Sequence, residues 1–279
     1  MTDRPTGRAV PHRGNRPPRT TPARASSARA PSDNPLPGEG DRIAKLLAAA
    51  GVASRREVER MIAEGRVALN GAVLDGPAVK LNSLDGVTVD GEPVGAIGPA
   101  RLWRFHKPRG LLTTEHDPAG RRTIYDALPN TLPRVMPVGR LDVGTEGLLL
   151  LTTDGGLKRQ LELPSTGLRR VYRARAYGHV TQEQLEGLAE GVTIDGVRYG
   201  PIIADMERRT GRNLWIQVAI TEGKNREVRH ILEYFELQVS RLIRLSYGPI
   251  LLGELEPGGL AEVSASDLKK FRNTLPKPG

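Results

Sequence analysis

A carboxylate and a guanidinium two residues apart are the first side chains of this sequence whose spacing suggests chemistry. Asp142 and Arg140 belong to the glycine-rich segment 139–147, directly before the most apolar run of the chain, residues 148–151. That run of four leucines, which a turn signal at residues 154–156 follows, favours a short buried strand, although its periodicity also fits a helix. A loop fixed to a buried strand can hold its side chains in defined positions, so we expect a substrate to be delivered to Asp142. The simpler alternative is a turn residue whose carboxylate accepts from nearby backbone N–H groups.

A second polar cluster lies about 80 residues further on, in the segment 222–232. Lys224, Asn225 and Arg226 lead into a predicted helix, whose first N–H groups could face a phosphate. Arg229 follows Arg226 by about one helical turn, so both side chains can face one site. A basic, solvated helix face is the alternative for Lys224 and Arg226.

Tyr172 lies in a predicted strand, on a face where an aromatic ring could meet a pocket. Residues 170–177 alternate as a strand does, with Tyr172 on the face of two alanines and the arginines at 173 and 175 on the other face. A ring among small residues can face a pocket, although an ordinary core tyrosine fits the same pattern.

The composition limits which partners and which chemistry are possible. The chain has 279 residues with 41 Lys and Arg against 32 Asp and Glu, a net charge of +9 and a pI of about 10.1. Such an excess indicates a polyanion partner, either nucleic acid or an anionic membrane surface. The absence of cysteine excludes disulfides, thiolate catalysis and cysteine-bound zinc, and the five histidines show no metal-ligand spacing, so we expect neither metal nor cofactor. No apolar stretch approaches the roughly 18 residues of a membrane span, and no secretory signal is visible.

The chain divides by composition into a tail, two modules and a short end. Residues 1–40 carry seven Arg and eight Pro with few large apolar residues, which predicts a disordered basic tail that either touches phosphates loosely or serves as a linker. Residues 41–94 form a small module, 95–100 a Gly/Ala/Pro linker, 101–273 a larger domain and 274–279 a terminal tail. In the larger domain we expect His106 on a strand surface, and Lys158 and Arg159 exposed on a short helix.

The small module is predicted to contain two helices and two hairpins. Asp41 should cap a helix that runs to Ala50, Ser54 should form a capping box with Glu57, and the turns should lie at residues 70–71 and 90–91. The cations near the helix ends are candidate RNA contacts: Lys45, Arg55, Arg56 and Arg66. Weak surface ion pairs of Arg55 and Arg56 with Glu57 and Glu59 are the alternative.

Several ordered motifs resemble a known family. They are G-R-L-D-x-x-T-x-G followed by L-L-L-L-T-x-D-G at 139–155, K-P-x-G at 107–110, E-G-K-N-R-x-V-R at 222–229, and A-S-R-R-E-V-E-R-M-I-A-E-G-R-V in the small module. Together they resemble the ribosomal RNA pseudouridine synthases of the RsuA/RluB type, which carry an N-terminal Alpha-L (S4-like) RNA-binding domain. The Ser-Arg-Arg-Glu helix and the ending R-L-S-Y-G-P-I at 244–250 are most similar to the large-subunit, 23S branch.

The resemblance implies an α+β fold, with a small Alpha-L domain followed by a catalytic domain built on a mixed, mainly antiparallel sheet flanked by helices. It implies that Asp142 is the essential carboxylate, that Arg229 keeps it ionised by pairing with it, and that Tyr172 stacks on the target base. Arg140 would fill the gap left by a flipped base, and Lys224, Asn225 and Arg226 would bind substrate. Arg170, where relatives often have Lys, should be of little consequence.

The function expected from the resemblance is cofactor-free isomerisation of a uridine to pseudouridine. The substrate would be ribosomal RNA, 23S rather than 16S, free or in an assembly intermediate, and the enzyme a cytoplasmic monomer without membrane contact. Two alternatives remain open at this point. One is a non-catalytic rRNA-binding assembly protein, and the other is a glycoside or nucleoside hydrolase that uses Asp142 with Glu146.

Overall fold

The computed structural model describes residues 40–276, and these residues form a small unit up to Pro93 and a large unit from Leu102 onward. The predicted tail of residues 1–40 lies outside the described part of the chain except for Gly40, and so do the last three residues. The exposed segment between the two units contains no helix or strand. No helix of the described residues has the length and apolar character that crossing a bilayer requires.

The small unit packs two helices on a short sheet. Its elements are β1 (Asp41–Arg42), α1 (Ile43–Ala49), α2 (Arg55–Ala63), β2 (Val67–Leu69), β3 (Ala72–Val73), β4 (Lys80–Leu81), β5 (Val87–Val89) and β6 (Glu92–Pro93). The apolar faces of both helices meet β2 and β5 in one core, in which Ile43, Leu47 and Val58 have no exposed surface. The turns predicted at 70–71 and 90–91 are confirmed, because both residues of each turn have positive φ, as tight hairpins require.

Two predictions about the helix ends of the small unit are wrong. Asp41 does not cap α1: it is extended in β1 opposite Leu81, and its carboxylate accepts from Lys45 at 2.6 Å. Ser54 does cap α2, with its Oγ accepting from the Glu57 N–H at 3.2 Å. In a complete capping box the Glu57 carboxylate would also accept from the Ser54 N–H, but here it accepts from Arg60 instead.

The large unit is built on one nine-stranded sheet. Its strands are β7 (Leu102–Lys107), β8 (Met136–Val138), β9 (Glu146–Thr152), β10 (Arg170–Tyr177), β13 (Ile203–Thr210), β14 (Asn213–Ile220), β15 (Gln238–Tyr247), β16 (Ile250–Leu251) and β17 (Leu260–Glu262), and β11 (Val192–Ile194) pairs with β12 (Val197–Tyr199) apart from it. The helices are α3 (Gly155–Glu162), α4 (Gln182–Glu186), α5 (Glu227–Tyr234) and α6 (Ala265–Thr274), and single 3-10 turns occur at Ile124–Ala127, Pro164–Thr166 and Gly187–Glu190.

The strand order is β13-β14-β10-β15-β9-β7-β17, and every named pair is antiparallel except β15 with β9. The predicted α+β class with a mixed, mainly antiparallel sheet is therefore confirmed. The parallel junction consists of two residue pairs, Ile243 with Glu146 and Arg244 with Gly147. It joins the two halves of the sheet immediately after the loop that carries Asp142.

Strand β9 explains the leucine run. All seven of its residues are buried, with Leu148 and Leu150 facing the core beneath α3 and α6, and Leu149 and Leu151 facing the core on the opposite side. A strand buried on both faces is apolar at every position, which hides the period-2 signal. At the other end of the unit, α6 runs to Thr274 and Leu275 is buried in the core, so the packed chain extends past residue 273.

Candidate active site

The loop between β8 and β9 is held by its carbonyl oxygens. Each backbone carbonyl from Leu141 to Thr145 accepts a hydrogen bond from outside the loop. The donors in order are Thr113 Oγ1 (2.9 Å), Lys107 Nζ (3.2 Å), the Gly110 N–H (2.8 Å), Arg229 Nη2 (3.2 Å) and Lys107 Nζ again (2.9 Å). Since the backbone is fixed from β7, from the segment that follows β7 and from α5, the half-exposed carboxylate of Asp142 lines the cavity from a rigid support.

Lys107 is the supporting residue that the sequence reasoning missed. It has no exposed surface, and its Nζ donates to the carbonyls of Pro108, Asp142 and Thr145. Burial lowers its pKa to about 8, against the opposing attraction of the Asp142 and Glu146 carboxylates. The K-P-x-G motif marked the segment, but nothing in the local sequence indicates that the amino group turns inward.

The cation closest to the Asp142 carboxylate is not the predicted one. Arg226 Nη1 lies 3.8 Å from Asp142 Oδ2. Among residues 40–276 no other basic side chain lies within 4 Å of this carboxylate. Arg229 instead donates to the carbonyls of Gly144 and Val239, each at 3.2 Å. Arg229 therefore clamps the loop that carries Asp142 onto β15 and does not pair with the carboxylate directly. Burial, together with repulsion from Arg226, lowers the pKa of Arg229.

The segment before α5 is organised by an internal carboxylate. Arg226 adopts a left-handed conformation with φ +50° at the helix start, and buried Glu227 accepts from the Lys224 N–H at 2.9 Å. Burial raises the pKa of Glu227, although this bond opposes the rise. The protein's own carboxylate thus takes up one backbone N–H group of the segment that leads into α5. The exposed side chains of Lys224, Asn225 and Arg226 nonetheless line the cavity.

Arg170 matters more than the sequence suggested. It is buried, and its Nη1 donates to the carbonyls of Leu168 (3.2 Å), Thr221 (2.7 Å) and Glu222 (2.7 Å), while its Nη2 donates to Tyr247 Oη (2.9 Å). A lysine has one nitrogen and cannot reach in these two directions at once. Arg170 thus fixes the start of the segment that carries Lys224 and Arg226, which argues against the expectation that its difference from Lys is of little consequence.

A cavity of about 760 Å³ joins these groups. Tyr172 lines it from β10, on the predicted face of the strand, and the exposed Arg140 lines it from the loop. Its walls carry seven cationic residues, Arg140, Lys158, Arg170, Lys224, Arg226, Arg229 and Arg244, against four acidic ones, Asp142, Glu162, Glu222 and Glu227. The excess of positive charge suits an anionic ligand.

The other acidic residues near the cavity are already engaged. Glu162 accepts from Lys158 and from the Gly139 N–H, and Glu222 pairs with Lys224, whose hydrogen bond lowers the pKa of Glu222. Lys158 is therefore half-buried and bonded, not exposed as predicted. The Glu146 carboxylate accepts twice from Arg241, at 3.0 and 2.9 Å, and it does not line the cavity. Asp142 is the carboxylate left for chemistry among the described cavity residues.

His106 does not lie on a strand surface as predicted. It is buried, and its Nδ1 lies 2.6 Å from the Leu255 carbonyl oxygen, beneath the segment before β17. Within residues 40–276 no group of three or more His, Asp and Glu side chains is arranged to hold a metal ion.

The four candidate RNA contacts of the small unit fall into two classes. Lys45 pairs with Asp41, and Arg66 pairs with Asp90 at 2.7 Å and with Glu64 at 3.2 Å. Arg55 and Arg56 are exposed at the start of α2. Their suggested partner Glu57 is engaged by Arg60 instead, so the alternative in which Glu57 neutralises them loses support.

Comparison with known proteins gives the same identification from both units. A model of the RNA pseudouridylate synthase family matches residues 101–234, and a model of the S4 domain matches residues 41–85. An RNA pseudouridine synthase of Rickettsia typhi is 43% identical over 230 residues, which cover 82% of this chain and 94% of that protein. A ribosomal large subunit pseudouridine synthase B of Pasteurella multocida is 38% identical over 94% of this chain and 77% of its own length.

A solved structure described as a pseudouridylate synthase superposes with a TM-score of 0.57 at 25% identity, over 82% of this chain and 98% of that one. The family expected from the motifs is thereby confirmed for both the small and the large unit. The chain belongs to the RNA pseudouridine synthases, isomerases that here carry an amino-terminal S4 domain.

Proposed function

We propose that this enzyme isomerises a uridine of 23S ribosomal RNA to pseudouridine, with Asp142 as the essential carboxylate and without a cofactor. The observation that carries the proposal is the Asp142 carboxylate, the one among the described cavity residues that accepts no hydrogen bond, held on a fully bonded loop in a cavity with an excess of cations. The names of several relatives, among them the enzyme of Pasteurella multocida, refer to the ribosomal large subunit. They favour 23S over 16S rRNA as the substrate. We further propose that the enzyme acts in the cytoplasm as a monomer, on free rRNA or on an assembly intermediate.

The reaction rearranges atoms without gain or loss. The N1–C1′ bond breaks, the uracil turns, a C5–C1′ bond forms, and the proton displaced from C5 is balanced by one taken up at N1. Asp142 acts at the ribose, as a nucleophile or as a base, and the Arg226 guanidinium lies 3.8 Å from its carboxylate. Because nothing is oxidised or hydrolysed, carboxylate and cationic groups are sufficient.

The target nucleotide must leave its stack to reach the cavity, which costs a few kcal/mol. Arg140 is exposed at the rim and can fill the gap with its planar guanidinium. Tyr172 offers a ring on which the extruded base can stack. Lys224, Asn225, Arg226 and the loop-clamping Arg229 surround the place where the flanking phosphates would lie.

The small unit supplies RNA affinity from outside the cavity. Arg55 and Arg56 have exposed guanidinium groups, and contacts of this kind bind phosphates without reading sequence. A binding protein without catalysis would need these residues but would not need the bonded loop beneath Asp142. A hydrolase would need a second carboxylate, and the pairing of Glu146 with Arg241 argues against it.

Unmodified 23S and 16S rRNA are incubated separately with the enzyme, and pseudouridine is then mapped by carbodiimide-dependent stops of reverse transcriptase. The proposal expects one new stop in 23S rRNA and none in 16S rRNA. A stop in 16S rRNA alone would overturn the substrate assignment. Tight binding of both RNAs without any stop, also in assembly intermediates, would favour the assembly-protein alternative.

A further inference from the structure

Arg244 is a buried guanidinium in the wall of the active-site cavity, and it is bonded at one end only. It is 3% exposed, its Nε donates to the Leu148 carbonyl at 2.7 Å, and its Nη2 is a buried nitrogen without a hydrogen-bond partner. We infer that Arg244 is a substrate-contacting residue, whose guanidinium donates a hydrogen bond to a carbonyl oxygen of the target uracil.

The position of Arg244 in the sheet places it between the two proposed reacting elements. Within the sheet Arg244 is directly opposite Tyr172 of β10, and on its other side it pairs with Gly147 of β9. Directly opposite residues project their side chains from the same face, so the guanidinium and the tyrosine ring share the cavity floor. A base stacked on Tyr172 would present its edge to Arg244.

The guanidinium is also rigidly oriented. Its carbon lies 5.2 Å from the centre of the Tyr247 ring, on which Arg170 also stacks at 4.7 Å. Gly147 lies so close that a β-carbon there would be 2.4 Å from the Arg244 carbonyl oxygen and 2.6 Å from its nitrogen. The guanidinium is thus fixed relative to Asp142, because the strand that locks Arg244 continues from the loop that carries Asp142.

An unpaired buried donor is costly, and a charged one more so. No carboxylate lies within 4 Å of the Arg244 guanidinium among the described residues, so its charge is not balanced by an ion pair. Uracil brings two carbonyl acceptors into the cavity, one of them at a position where cytosine carries an amino donor. A ligand carbonyl would accept a hydrogen bond from the guanidinium, and this cationic donor would disfavour bases that bring a donor of their own to it.

The test compares Arg244→Lys and Arg244→Gln with Arg173→Lys. Arg173 lies on the same sheet but on its other face, where it pairs with Glu207. RNA affinity and the single-turnover rate at saturating RNA are measured on whichever rRNA the wild type modifies. The inference rests on the proposed function, because it takes a uridine of rRNA as the substrate. We expect Arg244→Lys to bind RNA within about twofold of the wild type and to react about 10- to 100-fold more slowly. Arg173→Lys should retain the wild-type rate.

A second readout separates substrate contact from support of the fold. In RNA that carries 2-thiouridine or 4-thiouridine at the target, sulfur is a poor acceptor. The wild type should react more slowly with one of the two analogues than with uridine. Arg244→Lys should react with that analogue at the same rate as it reacts with uridine. Wild-type rates in Arg244→Lys, or equal slowing of both proteins by each analogue, would overturn the inference and leave Arg244 a structural residue. Arg244→Lys keeps the test decisive if Arg244→Gln fails to fold.

Failure of the proposed function would be recognised separately, because the wild type and Arg173→Lys would then both be inactive on every rRNA. In that event uridine 5′-monophosphate is the probe, with cytidine 5′-monophosphate as its control. The contact would be supported if the uridine nucleotide, but not the cytidine nucleotide, raised the thermal midpoint of the wild type and neither raised that of Arg244→Lys. Equal behaviour of the two proteins would overturn it.

Discussion

Lys107 has no exposed surface, yet its amino group supports two carbonyls of the loop that carries Asp142. Its pKa is lowered to about 8 from 10.5 by burial, so between these pH values the unfolded chain binds a proton that the folded protein does not. The free energy of unfolding must then rise with pH in this window, since the cost of burying the charge is present below about pH 8 and is relieved above it.

The residue-scale prediction concerns Lys107→Met, which cannot titrate. Between pH 7.5 and pH 10.5 the free energy of unfolding of the wild type should rise relative to that of the variant by up to about 3 kcal/mol, which is the free energy equivalent of the pKa shift. Urea unfolding at several pH values measures both proteins. Parallel stability curves across this window would show that Lys107 keeps an ordinary pKa in the folded state.

At the scale of elements, the contact between β9 and β15 depends on Gly147. Its φ is +98°, and a β-carbon there would lie 2.4 Å from backbone. Gly147→Ala should therefore destabilise the protein by about 2 kcal/mol or more, because both the backbone conformation and the overlap oppose it. Thermal and urea unfolding test this, with Gly187→Ala as the control, since a β-carbon at Gly187 meets nothing within 4 Å and its φ is −57°. Equal stability of the two variants would mean that β9 and β15 can move apart at Gly147 without a cost in free energy.

Arg170 gives the second prediction at this scale. Arg170→Lys should lose at least two of the four hydrogen bonds that fix Leu168, Thr221, Glu222 and Tyr247, at roughly 1 kcal/mol each. Hydrogen exchange should speed up in the amides of residues 221–226 and stay unchanged in β7. Unchanged exchange protection in residues 221–226 would show that a lysine holds this segment as well as the Arg170 guanidinium does.

The sequence could predict the elements whose signals are local. The hairpin turns at 70–71 and 90–91, the cap at Ser54, the strand of β9 and the cavity face of Tyr172 each depend on residues close in the chain. The roles of Lys107, Arg170 and Arg244 depend on carbonyl groups about 35 to 96 residues away, which no local pattern reveals. The exchange of Arg226 for Arg229 beside Asp142 has the same origin, because Arg229 donates instead to the carbonyl of Gly144, 85 residues away in the chain.

At the scale of the whole molecule, the S4 unit and the catalytic unit should contribute separably. Arg55→Ala with Arg56→Ala should weaken RNA binding about tenfold at moderate salt and reduce the slope of log affinity against log salt by about 1 to 2, with the saturated rate unchanged. Lys45→Ala with Arg66→Ala is the matched pair, and it should have the smaller effect because both residues are already paired with acids. Equal effects of the two pairs would show that RNA displaces those acids.

The most direct test of the account is the single-turnover rate of Asp142→Asn on saturating rRNA, measured with its RNA affinity. Asp195→Asn is the control, because Asp195 is exposed in a left-handed turn position that asparagine also accepts. We predict that Asp142→Asn binds RNA as the wild type does and forms pseudouridine at least about 1,000-fold more slowly, as expected when an essential reacting group is removed. A rate within about tenfold of the wild type would contradict the assignment of Asp142 as the essential carboxylate.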